Sequence, residues 1–374
     1  MHVFFVPDDY ATGREPAFVR ELFPAARVYD PKTYVKVALG GRAEGAPGAV
    51  DAVLYLGGDL MHAARLHKRF GGAFAAYKFS RARYANEMRR VFAVDEANAA
   101  QLAQWGVRAD RTQIVGNLAI DGALAQAASP AEEGSPRDGI LFMPGSRRYE
   151  VEQLIPLFFT AALAIRREAP DLPIAFGISP FTELAAVRRA VAAGGDPRVF
   201  AQTGSLFEER DSAFLSNRDR SVRFPIVRAA LAAAREARLV VTIPGTKVIE
   251  LAAIGKPVIA CSPFNAPELV TINGPLTYLD RVPLVGVPLK RGAVLAYARR
   301  HRFHTQPNVD SQEMLVEELH GTLTPGRIAR VVLERAVDER WLEQRSQSLS
   351  NLYREHAGAA SRIAQSLLAL TGDI

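Results

Sequence analysis

Two short stretches of this 374-residue chain place glycine, hydroxyl and charge where a strand gives way to a helix. The first reads LFMPGSRRYEVEQLIPLFF, residues 141–159, and the second reads VVTIPGTKVIELAAIGKPVIA, residues 240–260. In the second, Pro244, Gly245 and Thr246 make the turn and Thr246 opens a helix. The first turns of a helix offer unpaired backbone N–H groups and the positive end of its dipole. Gly245 permits close approach to the backbone, and Lys247 adds charge. Those features suit a diphosphate cradle made without a metal. Glu250, one turn in, could accept both hydroxyls of a ribose. In the first stretch Gly145, Ser146 and Arg147 form a comparable turn with paired positive charge at Arg147 and Arg148. Ordinary alternatives stand beside these readings. Glycine turns follow strands in any α/β protein, Glu250 could only complement a helix dipole, and the two arginines could be solvated.

Other chemistry finds little support. A dinucleotide-binding glycine motif, a Walker A loop and a nucleophile elbow are absent, as is any Asp-x-Asp pair. His301 and His304 lie close together with no third ligand nearby, so a solvated loop is expected there and no metal site. The single cysteine, Cys261, sits in an apolar run and reads as a core residue; it excludes an internal disulfide framework.

The composition is that of a globular protein, 48% hydrophobic and 23% charged. A net charge of +6 and a pI near 9.5 favour anionic partners. The start, MHVFFVPDDY, lacks the basic and apolar segments of a signal peptide, and no apolar run is long enough to span a bilayer. The expected location is the cytoplasm, with peripheral contact to the inner face of the cytoplasmic membrane.

Positioning these turns requires an α/β scaffold. Apolar runs at 2–6, 52–56, 73–76, 91–94 and 112–115 read as strands, and 15–23, 60–70, 81–89 and 96–105 read as helices. A polar stretch at 126–139 marks a boundary. Beyond it, strands are expected at 140–143, 173–176, 222–224, 239–242 and 258–260, with helices at 150–168, 183–193, 227–236 and 246–254. Residues 204–220 read as a mobile loop or an extra hairpin, and 338–370 as one long helical pattern. Strand–helix alternation in both halves predicts two doubly wound, Rossmann-like domains with a ligand cleft between them. Their extents would be residues 1–128 and 138–337, with a tail helix at 338–374 returning to the first domain.

With those stretches in view, the chain resembles the lipid-A-disaccharide synthases. LFMPGSRRYEVEQLIPLFFTAA is similar to their L-L-P-G-S-R-x-x-E-[IV] signature, and IPGTKVIELAAIGKPVIA to their S-G-T-x-x-x-E-x-x-x-x-x-x-P loop. FAVDEANAAQLAQWGVRADRTQIVGNLAID, 92–121, resembles their segment ending V-G-[HN]-P-x-x-D, and QPNVDSQEMLVEELHGTLTPGRIA, 306–329, resembles their late L-P-N stretch. The resemblance implies the GT-B architecture and an inverting transfer of a GlcNAc-type sugar from a UDP donor to a lipid-linked acceptor, with neither metal nor cofactor. It implies a UDP site containing Gly145, Ser146, Arg147, Gly245, Thr246, Lys247, Glu250 and Asn308, with Arg148 facing solvent.

The first domain departs from that pattern. FVPDDYATGREP stands where the family has S-G-E-x-S-G-D, and 55–77 replaces its D-A-P-D-F-N segment. Asp59 falls near the family's functional aspartate and is the candidate base, though it could equally cap the helix beginning at Leu60. Asp8, Asp9 and His62 are rivals. A sister group acting on other lipids is the better expectation. KRFGGAFAAYKFSRARYANEMRR, 68–90, interleaves aromatic and basic residues, as an anionic lipid surface would, or a solvated basic helix beside a buried strand. A UDP-GlcNAc 2-epimerase, a related UDP-using enzyme, is the runner-up. A binder of sugar nucleotides or lipids without catalysis also competes. Nucleic acid is not expected, because the basic residues are scattered and no familiar motif appears.

Overall fold

The computed structural model describes residues 1–7, 13–78, 84–210, 212–267 and 286–372. The chain divides into two compact units: Met1–Asp121 together with the residues from Glu355 onward, and Gly122–Arg354. The division falls inside helix α5 (Leu118–Ala128).

Unit 1 begins with β1 (His2–Phe4), α1 (Glu15–Leu22), β2 (Arg27–Tyr29) and α2 (Pro31–Ala38). It continues with β3 (Ala52–Tyr55), α3 (Leu60–Phe70), β4 (Ala73–Tyr77), β5 (Arg90–Ala93), α4 (Glu96–Gln104) and β6 (Thr112–Ile114). Among the described residues its strands form two parallel sheets, β1–β2 and β3–β4–β5–β6. β2 and α2 add to the elements read from the sequence. α2 starts where Pro31 presets the helical φ and the Asp30 carboxylate accepts the Thr33 N–H at 2.8 Å. α3 buries Leu60, Ala63, Ala64, Leu66 and Phe70 along one stripe and stops at Gly71, whose φ is +75°.

The structure alters two expectations in this unit. No helix forms over 84–89; Tyr84 takes a φ of +72° and a single 3₁₀ turn follows at Ala85–Glu87. Residues 79–83, including Phe79, Arg81 and Arg83, lie outside the described residues. The lipid-facing reading of 68–90 loses three of its aromatics. Phe70, Phe74 and Tyr77 are core residues, with Phe74 wholly inaccessible. β4 is an inner strand covered on both faces, so its aromatics point inward whatever charges flank them. Among the described residues, no helix is long and apolar enough to cross a membrane.

Unit 2 holds β7 (Ile140–Phe142), α6 (Ile155–Glu168), β8 (Ile174–Gly177), α7 (Leu184–Ala193), β9 (Ser205–Glu209), β10 (Ser212–Ser216), β11 (Arg223–Val227), α8 (Ala230–Glu236) and β12 (Leu239–Thr242). After these come α9 (Thr246–Ala253), β13 (Val258–Pro263), α10 (Gly286–Arg300), α11 (Gln306–Ser311), β14 (Glu317–Gly321), α12 (Pro325–Ala336) and α13 (Glu339–Tyr353). Its sheet runs β14–β13–β12–β7–β8–β11–β10–β9. From β14 to β11 every pairing is parallel; β9 and β10 append an antiparallel hairpin, which decides between loop and hairpin at 204–220. Its inner strands β7, β8, β12 and β13 read as near-continuous apolar runs, as strands covered on both faces do, and contribute to one large core. Phe158, Phe159 and Cys261 are all wholly buried there. Burial pushes the Cys261 thiol up to about 12, so it is an inert packing residue.

The polar stretch at 126–139 is bound to unit 2. The Glu132 carboxylate accepts the backbone N–H groups of Arg228 (2.6 Å) and Ala229 (2.7 Å). The tail is two helices. α13 belongs to unit 2, and α14 (Ala359–Thr371) belongs to unit 1, where Ile363 packs with Tyr77, Phe92 and Val94. The break is held by Asp121, whose carboxylate accepts the N–H groups of Gly358 (2.6 Å) and Ala360 (2.7 Å).

Candidate functional site

In unit 2 the strand order reverses at β7. From β7 the chain winds outward through β8 to β11, whereas β12 pairs on its other side and leads outward to β13 and β14. In doubly wound sheets, ligands bind in the crevice beyond the carboxyl ends of the two strands that flank such a switch. The turns after β7 and β12 are Pro144–Gly145–Ser146 and Pro244–Gly245–Thr246, the two singled out from the sequence. They are tied side by side: the Met143 N–H donates to the Val241 carbonyl at 2.8 Å, and the Thr242 hydroxyl to the Met143 carbonyl at 2.8 Å.

The second turn is built for close approach. Gly245 has φ +152° and ψ −173°, a conformation that glycine alone adopts freely, and a Cβ placed there would meet no atom of the described residues within 4 Å. Among the described residues no side chain caps α9, so within that set its first-turn N–H groups have no side-chain acceptor and its positive end is uncompensated. Lys247 Nζ lies 2.5 Å from Glu250 Oε2, one turn along; the lysine side chain is 42% exposed and the glutamate 17%. The arrangement offers a cation, a carboxylate held in place by it, and a bare helix end.

The first turn differs. Gly145 adopts φ +99°, and the Glu150 carboxylate folds back over it. One oxygen, Oε2, accepts the N–H groups of Ser146 (2.7 Å) and Arg147 (2.8 Å). A single π-wound turn, Glu150–Leu154, then leads into α6. Arg148 is 89% exposed and pairs with Glu152 at 2.7 Å, as a solvated arginine would. Arg147 is exposed, and among the described residues its guanidinium has no carboxylate partner.

Asn308 does not line this crevice with a free amide. It is wholly buried. Its Nδ2 donates to the Val316 carbonyl (2.8 Å) and to Glu318 Oε1 (2.7 Å), and its Oδ1 accepts the Val316 N–H (2.7 Å). The expectation that its side chain meets a nucleotide is corrected: those groups are spent on pinning α11 to β14. Glu318, absent from the sequence reading, is the hub of this bracket. It also accepts the N–H groups of His304 and Thr305 (both 2.9 Å) and the Thr305 hydroxyl (2.6 Å). The His304 ring stacks on His320, with centroids 5.2 Å apart. Among the described residues, no group of three His, Cys, Asp or Glu side chains is arranged to hold a metal.

In unit 1, Asp59 is the N-cap of α3, its Oδ1 accepting the Met61 N–H at 2.8 Å. His62, one turn on, shares a 2.7 Å hydrogen bond between its Nδ1 and the Tyr34 hydroxyl, the two rings meeting edge to face. Burial lowers the His62 pKa, outweighing the opposing pull of Asp59, while Arg65 lowers it further. Asp8 and Asp9 lie outside the described residues.

No protein-family model matches the chain, and no curated protein matches it. Solved structures do. The S. aureus MnaA–UDP co-structure aligns over 100% of this chain and 97% of its own, with a TM-score of 0.52 at 14% identity. A UDP-N-acetylglucosamine 2-epimerase aligns over 100% and 96%, with a TM-score of 0.53 at 15% identity. At these identities the likeness shows the fold: the chain has the GT-B fold of two Rossmann-like units.

Proposed function

We propose that the chain is a UDP-sugar enzyme that holds its nucleotide on unit 2, at the β7–β12 switch point. The observation that carries this reading is the turn after β12, where Gly245 opens an uncapped α9 beside Lys247 and Glu250. The diphosphate would lie against the first turn of α9, where Thr246 and Lys247 present their N–H groups. Glu250 would accept the ribose hydroxyls, and Arg147 would reach the diphosphate from the neighbouring turn.

Two reactions of a UDP-N-acetylhexosamine fit such a site. Epimerisation at C2 is the leading reading, because the structural likeness to a UDP-N-acetylglucosamine 2-epimerase runs through the whole chain, including unit 1. It takes a proton from C2 and returns one to the opposite face, so it needs a proton-handling group. His62 suits that role better than Asp59: its ring is held neutral by burial, whereas the Asp59 carboxylate is committed to its helix cap. Transfer of the sugar to a lipid-linked acceptor is the second reading, supported by the four motif-like stretches, which lie mainly in unit 2. Transfer breaks the bond from the anomeric carbon to the diphosphate, and the charge left on UDP would be stabilised by the α9 terminus, Lys247 and Arg147.

One experiment separates these readings. The protein is incubated with UDP-GlcNAc in D₂O and followed by proton NMR, with and without lipid extract. Epimerisation yields the manno isomer with deuterium at C2. Transfer releases UDP only when lipid is present. Binding without either outcome would leave a non-catalytic binder, and no binding at all would overturn the assignment.

A further inference from the structure

The two turns at the switch point look equivalent in sequence and are not equivalent in structure. Behind Gly245 the helix terminus carries no side-chain cap among the described residues. Behind Gly145 the two converging N–H groups, on Ser146 and Arg147, already hold an anion, the chain's own Glu150 carboxylate. The geometry is the returning half of a capping box: Glu150 stands three residues after Arg147, which opens the helix, and reaches back to its N–H. Arg147 has no side-chain oxygen to supply the forward half, so among the described residues Glu150 supplies the turn's side-chain cap. The fit is close, since a Cβ added at Gly145 would stand 2.2 Å from Glu150 Oε2. A phosphate oxygen cannot use those two donors while the carboxylate is there, and two anions on the same pair of N–H groups repel.

We propose that Glu150 is a positioning residue of the nucleotide site: as a built-in anion it closes the Gly145 turn to phosphate, fixes the backbone from which Arg147 extends, and leaves the Gly245 turn to take the diphosphate. This rests on the UDP reading above and deepens it. It divides the labour between two turns that the sequence treats alike. Glu150 touches no substrate and acts through Arg147. The neighbouring Arg148 takes no part, being engaged with Glu152 at the surface.

The test uses the full chain, labelled with ¹⁵N, titrated first with UDP and separately with inorganic phosphate. In the parent, UDP should shift the Thr246 and Lys247 amide resonances strongly and leave those of Ser146 and Arg147 nearly unmoved. Glu150→Gln keeps an oxygen acceptor for both N–H groups and should bind UDP within about threefold of the parent. Glu150→Ala should bind UDP about tenfold more weakly, and phosphate should now shift the emptied Ser146 and Arg147 amides. A tenfold loss that persists after correction for the fraction folded, and that Gln rescues, marks positioning rather than loss of fold. Strong shifts of Ser146 and Arg147 in the UDP-bound parent, or tighter UDP binding by the alanine variant, would overturn the proposal and make Glu150 a competitor of the ligand. Equal UDP affinity in all three proteins would overturn it too. If the parent binds no UDP, the functional reading falls separately. The closed turn is then judged by phosphate alone: it stands if phosphate reaches the Ser146 and Arg147 amides only in Glu150→Ala, and falls if phosphate reaches them in the parent or in neither protein.

Discussion

Thr242 and Met143, 99 residues apart in the chain, are joined by a 2.8 Å hydrogen bond from the threonine hydroxyl to the methionine carbonyl. The bond lies where β7 and β12 end, so it sets the spacing of the two glycine turns that follow. Thr242 is 1% exposed, and water is not at hand to replace it. Thr242→Val keeps the shape and removes the donor. It should destabilise unit 2 by about 1–3 kcal/mol, the cost of a buried acceptor left unpaired. Chemical denaturation measures the loss. A variant as stable as the parent would show that the bond does not hold the crevice together.

Glu250 should contribute to nucleotide affinity. Glu250→Ala removes the proposed acceptor of the ribose hydroxyls and releases Lys247 from its partner. UDP binding should weaken by about 1–3 kcal/mol, as expected for hydrogen bonds to a charged acceptor. Calorimetry on the folded variant decides, and unchanged affinity removes Glu250 from the site.

Asn308 should matter for stability and not for direct ligand contact. Asn308→Ala leaves the Val316 N–H and carbonyl without partners and takes a donor from Glu318. The expected cost is about 1–3 kcal/mol or more for these buried groups. Thermal unfolding should show it, while UDP affinity per folded molecule stays close to the parent's. Lost affinity with unchanged stability would return Asn308 to the ligand.

Unit 1 should weaken in acid through His62. Its folded pKa lies below the ordinary 6.5, because burial disfavours the charged ring. As pH falls past 6.5 the unfolded chain takes up the proton first, so stability present at neutral pH is lost on going down through the folded pKa. The groups facing the ring are Tyr34 from α2 and Asp59 and Arg65 on its own helix. His62→Gln should therefore lose less stability than the parent between pH 7 and pH 5, measured by denaturant midpoints. Parallel losses in both proteins would exclude His62 as a source of acid sensitivity.

The scaffold was legible wherever burial is two-sided. Runs such as Leu239–Thr242 are apolar throughout because helices cover both faces of a parallel sheet, and such runs stand out from their surroundings. The glycine turns were legible for the same reason, as the first polar residues after those runs. β2 spans three residues, and β14 reads EELHG, with charges along its length; neither carries a pattern that periodicity can detect. Missing β14 hid the bracket of Glu318 and Asn308, because an asparagine's role depends on what lies across from it. Glu150 was hidden differently. A capping box is recognised by Ser or Thr at its start, and here Arg147 stands in that place. The aromatics of 68–90 misled because spacing records neighbours along the chain and not the direction in which a side chain points. Phe70 closes a helix stripe and Phe74 lies in an inner strand, and both turn away from the basic residues beside them in sequence.

The placement of α14 carries a consequence for how the molecule is made. Its residues Ile363 and Leu367 complete a core whose other members, among them Tyr77, Phe92 and Val94, are synthesised before any of unit 2. On the ribosome, unit 1 therefore cannot complete its core until nearly the whole chain is made, so the unit begun first is completed no earlier than the one begun second. Until α14 emerges, the apolar flank of β4 and β5 lacks the cover that Ile363 and Leu367 supply. A chaperone that shields nascent chains would find its binding surface on the earlier-made half of the protein, and a stop codon just before α14 would harm the unit encoded first.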